Sequence, residues 1–339
     1  MSVPFRAPIR PLAKSFATGL AAVALAAVTL AGLPDAARAQ TYPSRFVRMV
    51  VAFGPGTTTD IVTRLVGTAL AADLGQPVVI ENRPGSGGAI GTAAVAKSTA
   101  DGYTLTMGTV GTHAINAGLF PRLPYDPLKD FVPIALIGYT PTLLVVSAST
   151  PVRSVADLVA LAKSRPDGIN FASAGNGTSG HLAGEFLKNK TDTKMVHVPY
   201  KEGGMGVSDV ISGQVQFMFY HPAAVMPHVQ NGTLRAIATS SARRSMAAPD
   251  VPTMIEQGFP GFDLVAWFIL YAPTGTPDAV VTRLREATGR VLGNPEVAAQ
   301  LQAQGVEQLP LEGEALTAFG RDEVAKWTDL VKISGARVE

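Results

Sequence analysis

No cysteine occurs in the 339 residues, so a disulfide framework, a thiolate metal site and a lipid anchor on a cysteine are all closed to this chain. Charge is sparse: Asp, Glu, Lys and Arg together supply 16% of the residues, with no long run of one sign. That excludes nucleic acid as a partner, because neutralising phosphates takes a concentrated basic surface. The apolar run from Gly19 to Leu33 falls short of the roughly 20 residues a membrane-spanning helix needs. No internal repeat and no low-complexity tract is present. Catalytic signatures are missing too. No G-x-S-x-G occurs, and His113, His181, His197, His221 and His228 show neither H-E-x-x-H nor paired i, i+4 spacing, which argues against a nucleophile elbow and a catalytic zinc.

What the chain does have at its start is an export signal. Arg6, Arg10 and Lys14 precede an apolar stretch from Phe16 to Leu33, and Ala37-Arg38-Ala39 supplies the small-x-small pattern of signal-peptidase cleavage. Residues 1–39 are therefore expected to be removed, leaving a soluble periplasmic protein that begins at Gln40. The leader holds four of the 28 Lys+Arg and one of the 26 Asp+Glu, so 24 and 25 remain and the net charge is near −1. Cutting 39 of 339 residues leaves 300, more than one core usually holds, which favours two domains.

Beyond Phe46, short apolar runs alternate with helical segments, the signal of βαβ units and parallel sheets. The predicted strands are Arg48 to Phe53, Val78 to Glu81, Thr104 to Gly108, Thr142 to Ser147, Ile169 to Ser173, Met195 to Val198, Val215 to Phe219, Leu234 to Thr239 and Val265 to Tyr271. Asp60 to Asp73 places Ile61, Val62, Leu65, Val66, Ala69 and Leu70 at helical spacing and stops at Gly75. The last third, Asp278 to Leu292, Pro295 to Gln304 and Glu314 to Lys332, reads as successive helices that would pack back onto one domain.

The candidate chemistry sits at strand-to-helix turns. Gly54-Pro55-Gly56-Thr57-Thr58-Thr59-Asp60 follows the first strand and opens a helix, so free amide groups and threonine hydroxyls could hold a carboxylate or phosphate without a cation. Plain N-capping by Thr58 or Thr59 is the alternative. A turn of the same kind, Ala174-Gly175-Asn176-Gly177-Thr178-Ser179-Gly180-His181, follows Ile169 to Ser173, and Gly108-Thr109-Val110-Gly111-Thr112-His113 has similar small-polar character. Gly175, Gly177 and Gly180 also satisfy G-x-G-x-x-G with Glu202 downstream, which leaves a nicotinamide oxidoreductase open. A hydrolase using Ser173 or Ser179 with His181 is the other enzymatic alternative.

These stretches, with Tyr42-Pro43, Glu81-Asn82-Arg83-Pro84-Gly85, Asp101-Gly102-Tyr103-Thr104-Leu105, Tyr125-Asp126-Pro127, His197-Val198-Pro199-Tyr200-Lys201, Pro249-Asp250-Val251-Pro252-Thr253 and Ala272-Pro273-Thr274-Gly275-Thr276-Pro277, resemble the Bug family. That family comprises periplasmic solute-binding proteins, the receptors of tripartite tricarboxylate transporters. The resemblance implies an α/β, two-domain type II periplasmic-binding-protein fold with an interdomain ligand cleft and a helical C-terminal tail. It divides the mature chain into 40–140 plus 266–339 and 141–265, with crossovers near Tyr139 to Thr142 and Phe262 to Trp267. It implies a monomer without cofactor or catalysis that binds a small organic acid and docks on a membrane permease. Ligand contacts carry over to Pro55, Gly56, Thr57, Thr58, Asp60, Thr109, Ser173, Gly175, Thr178, His181 and Tyr220. Two departures from the family bear on the ligand: Pro55-Gly56-Thr57 replaces the usual Ala-Gly-Gly, and Tyr220-His221 stands where an acidic residue is common; a third puts Lys201-Glu202-Gly203-Gly204-Met205 in place of Lys-Gly-x-x-Pro. The second change favours an aromatic or plain carboxylic acid over an amino acid.

Overall fold

The structure, a computed structural model, describes residues 1–5, 42–165 and 167–337. Beyond its first five residues the expected leader lies outside the described residues. The described part of Met1–Ser44, a unit of its own, contains no helix or strand.

From Arg45 onward the alternating pattern builds two five-stranded sheets. In the first, β1 (Val47–Val51), β2 (Val78–Asn82) and β3 (Thr104–Thr109) run parallel, linked by α1 (Thr58–Leu74) and α2 (Ala89–Ala96). β3 leads through a π-helical turn, Gly111–Ile115, into α3 (Asn116–Leu119). β4 (Phe131–Pro141) and β10 (Val265–Pro273) complete the order β2-β1-β3-β10-β4. The second sheet uses β5 (Leu143–Ser147), β6 (Ile169–Ser173), β7 (Met195–Pro199), β8 (Phe217–Tyr220) and β9 (Leu234–Thr239) in the order β7-β6-β8-β5-β9. Its helices are α4 (Val155–Ser164), α5 (Ser179–Thr191), α6 (Gly203–Ser212) and α7 (Pro222–Gln230). Every residue of β3 and β5 is buried, as expected for strands covered on both faces.

Two sequence expectations need correction. The sheets are mixed rather than parallel: β10 is antiparallel to β3 and β4, and β5 is antiparallel to β8 and β9. A strand that arrives directly from the other sheet, with no helical crossover to turn it round, enters reversed. β4 was also absent from the predicted strands although it is the longest in the described residues. Pro133, Gly138 and Pro141 break its pattern, its pairing with β10 shifts register twice, and its place at the sheet edge is where proline is tolerated.

The chain passes between the sheets at Thr142 and again between Thr239 and Val265. Ser240 stitches the two passages: its hydroxyl accepts from Thr142 N–H at 2.9 Å and Thr142 Oγ1 at 3.0 Å, and donates to Leu264 O at 2.6 Å. After β10 come α8 (Asp278–Leu292), α9 (Pro295–Ala303) and α10 (Gly313–Ser334). α10 packs against the π-helical turn and α3 as well as α5, so it touches elements flanking both sheets. Buried Glu323 of α10 fastens it to the returning strand, accepting the indole N–H of Trp267 at 2.8 Å and of Trp327 at 2.9 Å on one oxygen.

Glu323→Leu leaves two buried indole donors unpaired and is expected to lower the unfolding free energy by about 2–4 kcal/mol in urea titration, with Glu323→Gln losing less. An unchanged midpoint in the leucine variant would show that the indoles find other acceptors.

Candidate ligand-binding site

The two turns singled out in the sequence fold into the same device. Each reads Gly-x-Gly-Thr, as Gly54-Pro55-Gly56-Thr57 and Gly175-Asn176-Gly177-Thr178. Gly56 and Gly177 sit at φ +76 and +77, a left-handed conformation that side chains disfavour. The threonine that follows is the helix N-cap: Thr57 Oγ1 donates to Gly54 O at 2.8 Å and accepts from Asp60 N–H, and Thr178 Oγ1 donates to Gly175 O at 2.8 Å and accepts from His181 N–H. The caps are thus Thr57 and Thr178, not Thr58 or Thr59. The N–H groups of the first two helical residues, Thr58 and Thr59 in α1 and Ser179 and Gly180 in α5, are left without a partner inside their helices.

All four of these residues line one cavity of about 50 Å³ between the sheets, at the carboxyl ends of β1, β3, β6 and β8. Phe53, Thr57, Thr109, Val110, Gly111, Ala174, Thr178, Phe219, Tyr220, His221, Ala266 and Phe268 complete the wall. No Lys, Arg, Asp or Glu is among them. Thr58 Oγ1 is buried and has no hydrogen-bond partner. Backbones from the two sides meet beside the cavity: a Cβ on Gly111 would stand 2.8 Å from Gly177 O, and one on Gly87 would stand 2.6 Å from Asn176 O.

Of the residues proposed from sequence, Thr57, Thr58, Thr109, Thr178 and Tyr220 reach this wall, whereas Pro55, Gly56, Asp60, Ser173, Gly175 and His181 do not line it. Pro55 and Gly56 are exposed on the outside of the turn. Asp60 is a brace: its carboxylate accepts from Gly56 N–H at 3.0 Å, Asn82 Nδ2 at 2.8 Å and Arg64 Nε at 3.1 Å. Burial alone would push its carboxyl up, but the Arg64, Gly56 and Asn82 bonds outweigh it and hold it below the usual range. Ser173 is fully buried, with Oγ 2.6 Å from His197 Nε2, 3.0 Å from Gly175 O and 3.1 Å from Gly175 N, so its hydroxyl supports the glycine turn. His181 accepts Gly177 N–H on Nδ1 at 3.2 Å and stacks on His197 at 4.0 Å. Sequence reasoning missed the apolar wall because Phe219, Ala266 and Phe268 sit on strands that look like ordinary core and Phe53 lies just past the end of β1. Gly111 and His221, which each follow a strand terminus, belong to stretches the sequence had singled out, Gly108 to His113 and Tyr220-His221, and both line the wall.

Four histidines are held neutral by burial: His113 and His197 are pushed down to about 3, and His181 and His221 to about 4. For His181 a smaller contribution comes from Lys188, and for His197 from His181. Among the described residues no group of three or more acidic or histidine side chains could hold a metal ion, and no helix is long and apolar enough to cross a membrane.

Two α/β halves that share one sheet order and face each other across a cleft rich in backbone donors define a two-lobed solute receptor. The chain belongs to the tripartite tricarboxylate transporter receptor family, whose sequence pattern, described as "Tripartite tricarboxylate transporter family receptor", matches residues 62–336. It is 36% identical over 323 residues to protein BugT of Bordetella pertussis, covering 95% of this chain and 99% of that one. Among solved structures, a protein of R. palustris with adipate is similar at TM-score 0.83 and 36% identity, over 88% of this chain and 100% of that chain. MatC from Rhodopseudomonas palustris with bound malate is similar at TM-score 0.80 and 34% identity, over 86% of this chain and 100% of that chain.

Unfolded histidines take up protons near pH 6.5, while the four buried ones resist until about 4 or 3, so stability is full above pH 6.5 and falls as the pH drops below it. Between pH 7 and pH 5 the expected loss is about 1–2 kcal/mol per buried histidine, read from urea midpoints, and His113→Phe should remove one share of it. A flat profile would contradict the neutral assignment. Gly111→Ala, whose added Cβ meets Gly177 O, is expected to hold the halves apart, with a larger radius of gyration by X-ray scattering and unchanged circular dichroism. An unchanged radius would mean the contact yields.

Proposed function

We propose that the protein is a periplasmic receptor that captures a small organic carboxylate in this cleft and hands it to the membrane permease of a tripartite tricarboxylate-type transporter. One observation carries the reading: two helix N-termini with unpartnered N–H groups, together with the orphaned Thr58 hydroxyl, line a cavity without a cationic side chain. Such an arrangement offers donors to an anion and no charged partner to a cation. Each helix start stabilises a carboxylate by about 0.3–1 kcal/mol, and up to about 2 kcal/mol when partly buried, beyond the charge-assisted hydrogen bonds themselves. Micromolar affinity requires about −8 kcal/mol, within reach of two such ends plus hydroxyls. The bound adipate and malate of the two similar structures are both carboxylates, which supports the same ligand class here.

In this reading, binding proceeds without chemistry. Ser173 is buried and engaged by the glycine turn, away from the cavity wall, which disfavours the hydrolase alternative. The protein works as a monomer after removal of residues 1–39, with 40–140 plus 266–339 as one domain and 141–265 as the other. The passages held by Ser240 are the hinge.

A thermal-shift screen of the mature protein with adipate, malate, succinate, amino acids and NAD tests the class. A ligand at 100 times its Kd adds about 2.7 kcal/mol of stability. Shifts confined to carboxylates support the reading; a shift with NAD alone would replace it with an oxidoreductase. Thr58→Val gives a signed test: removing a buried hydroxyl with no partner should raise the melting temperature of the unliganded protein, while carboxylate affinity falls by about threefold to tenfold. A variant that binds as well as the original would take that hydroxyl out of the site.

A further inference from the structure

The cleft's polar equipment is lopsided. Among the lining side chains the hydroxyls of Thr57 and Thr178 are spent on capping, that of Thr109 is engaged with Thr112, and those of Thr58, Thr59, Ser179 and Tyr220 all carry a hydrogen to donate. One lining side chain can offer an acceptor atom that bears no hydrogen, and it is His221. It occupies the residue between β8 and α7, at the carboxyl end of a parallel strand, as the two glycine turns do. Gly180, at the start of α5, lies so close to Phe219 O that a Cβ there would stand 2.2 Å away, so the donor-rich helix start and the β8 terminus share one stretch of wall.

The tautomer of His221 follows from its partner. Nδ1 lies 3.3 Å from Pro141 O, and a carbonyl can only accept, so Nδ1 carries the hydrogen. In a neutral ring Nε2 is then a bare lone pair. Burial keeps the ring neutral, pushing it down to about 4 against the small opposing pull of the Pro141 carbonyl. Tyr220, whose ring centroid is 5.7 Å away, is the only titratable neighbour on the same wall, and burial pushes its phenol up to about 12, so it too stays uncharged.

We propose that the cleft selects a carboxylate that also carries a neutral hydroxyl, with Nε2 of His221 as the acceptor that reads the hydroxyl hydrogen. The inference rests on the carboxylate reading above and narrows it. A second carboxylate set against Nε2 would bring lone pair to lone pair, and a bare methylene would leave the nitrogen buried and unpaired on closure; a hydroxyl satisfies it. His221 is therefore a specificity-determining residue, and the helix starts supply the affinity common to all carboxylates.

Calorimetry with four probes tests this: 3-hydroxybutyrate, 4-hydroxybutyrate, butyrate and succinate. At least one hydroxy acid should bind tighter than butyrate and succinate by about tenfold or more, the scale expected when a site's hydrogen-bonding group is left unmatched. His221→Phe should bring the ratio of hydroxy acid to butyrate close to one, and His221→Gln, whose amide oxygen can accept, should restore part of it. Succinate or butyrate binding as tightly as both hydroxy acids in the unaltered protein would overturn the proposal, as would undiminished discrimination in His221→Phe. Failure to bind any of the four, or adipate or malate, would bring down the carboxylate reading itself, so the two failures are distinct.

Discussion

An α-helix cannot satisfy its own first N–H groups, and most proteins leave that deficit to water or to a capping side chain. Here the cap covers one donor per helix and the chain geometry assigns the next two to a shared cavity. The Gly-x-Gly-Thr turn makes this possible. Its left-handed glycine lets the backbone reverse without a side chain in the way, and its threonine closes the third amide, so Thr58, Thr59, Ser179 and Gly180 remain as donors at the wall. Several other residues support those four amides. Asp60 and Ser173 hold the turns in shape from behind, while Phe53, Phe219 and Phe268 exclude water and so strengthen the field of the helix ends.

The halves are held in register at two places outside the cavity lining. Ser240 links both passages through hydrogen bonds to Thr142 and Leu264. Glu323 ties the returning strand to α10, which lies against elements flanking both sheets. Flexing of the passages must therefore preserve or exchange these hydrogen bonds together with the packing of α10, which suits a motion between a few discrete arrangements.

Much of the fold was legible because buried strands and amphipathic helices write strong patterns. Nine strands were predicted, and the structure places each to within a residue or two. β4 escaped because two prolines and a glycine interrupt it, and strand direction escaped because hydrophobic runs carry no arrow. The site was half legible. Glycine and threonine at a strand-to-helix turn announced the donors, yet which threonine caps and which keeps its hydroxyl unpartnered depends on one residue of phase, and that phase set Thr57 apart from Thr58. Asp60, His181 and Ser173 looked chemical in the sequence because of residue type; in the structure each hydrogen-bonds the glycine turn beside it, Asp60 with Arg64 and Asn82 and Ser173 with His197 as further partners. Phe268 and Ala266 carried no signal, being core-like residues on a core-like strand.

β10 lies between β3 and β4, with Phe268 paired to Thr109. The second sheet is drawn from one continuous stretch, residues 143–239, but the first must wait for a strand encoded more than 150 positions after its neighbour. The chain is synthesised from its N-terminal side, so β1, β2 and β3 exist with one flank of β3 unpaired until residue 265 follows. Nascent molecules thus pass through a stage with an apolar, open ladder, where association with other chains competes with completion of the sheet.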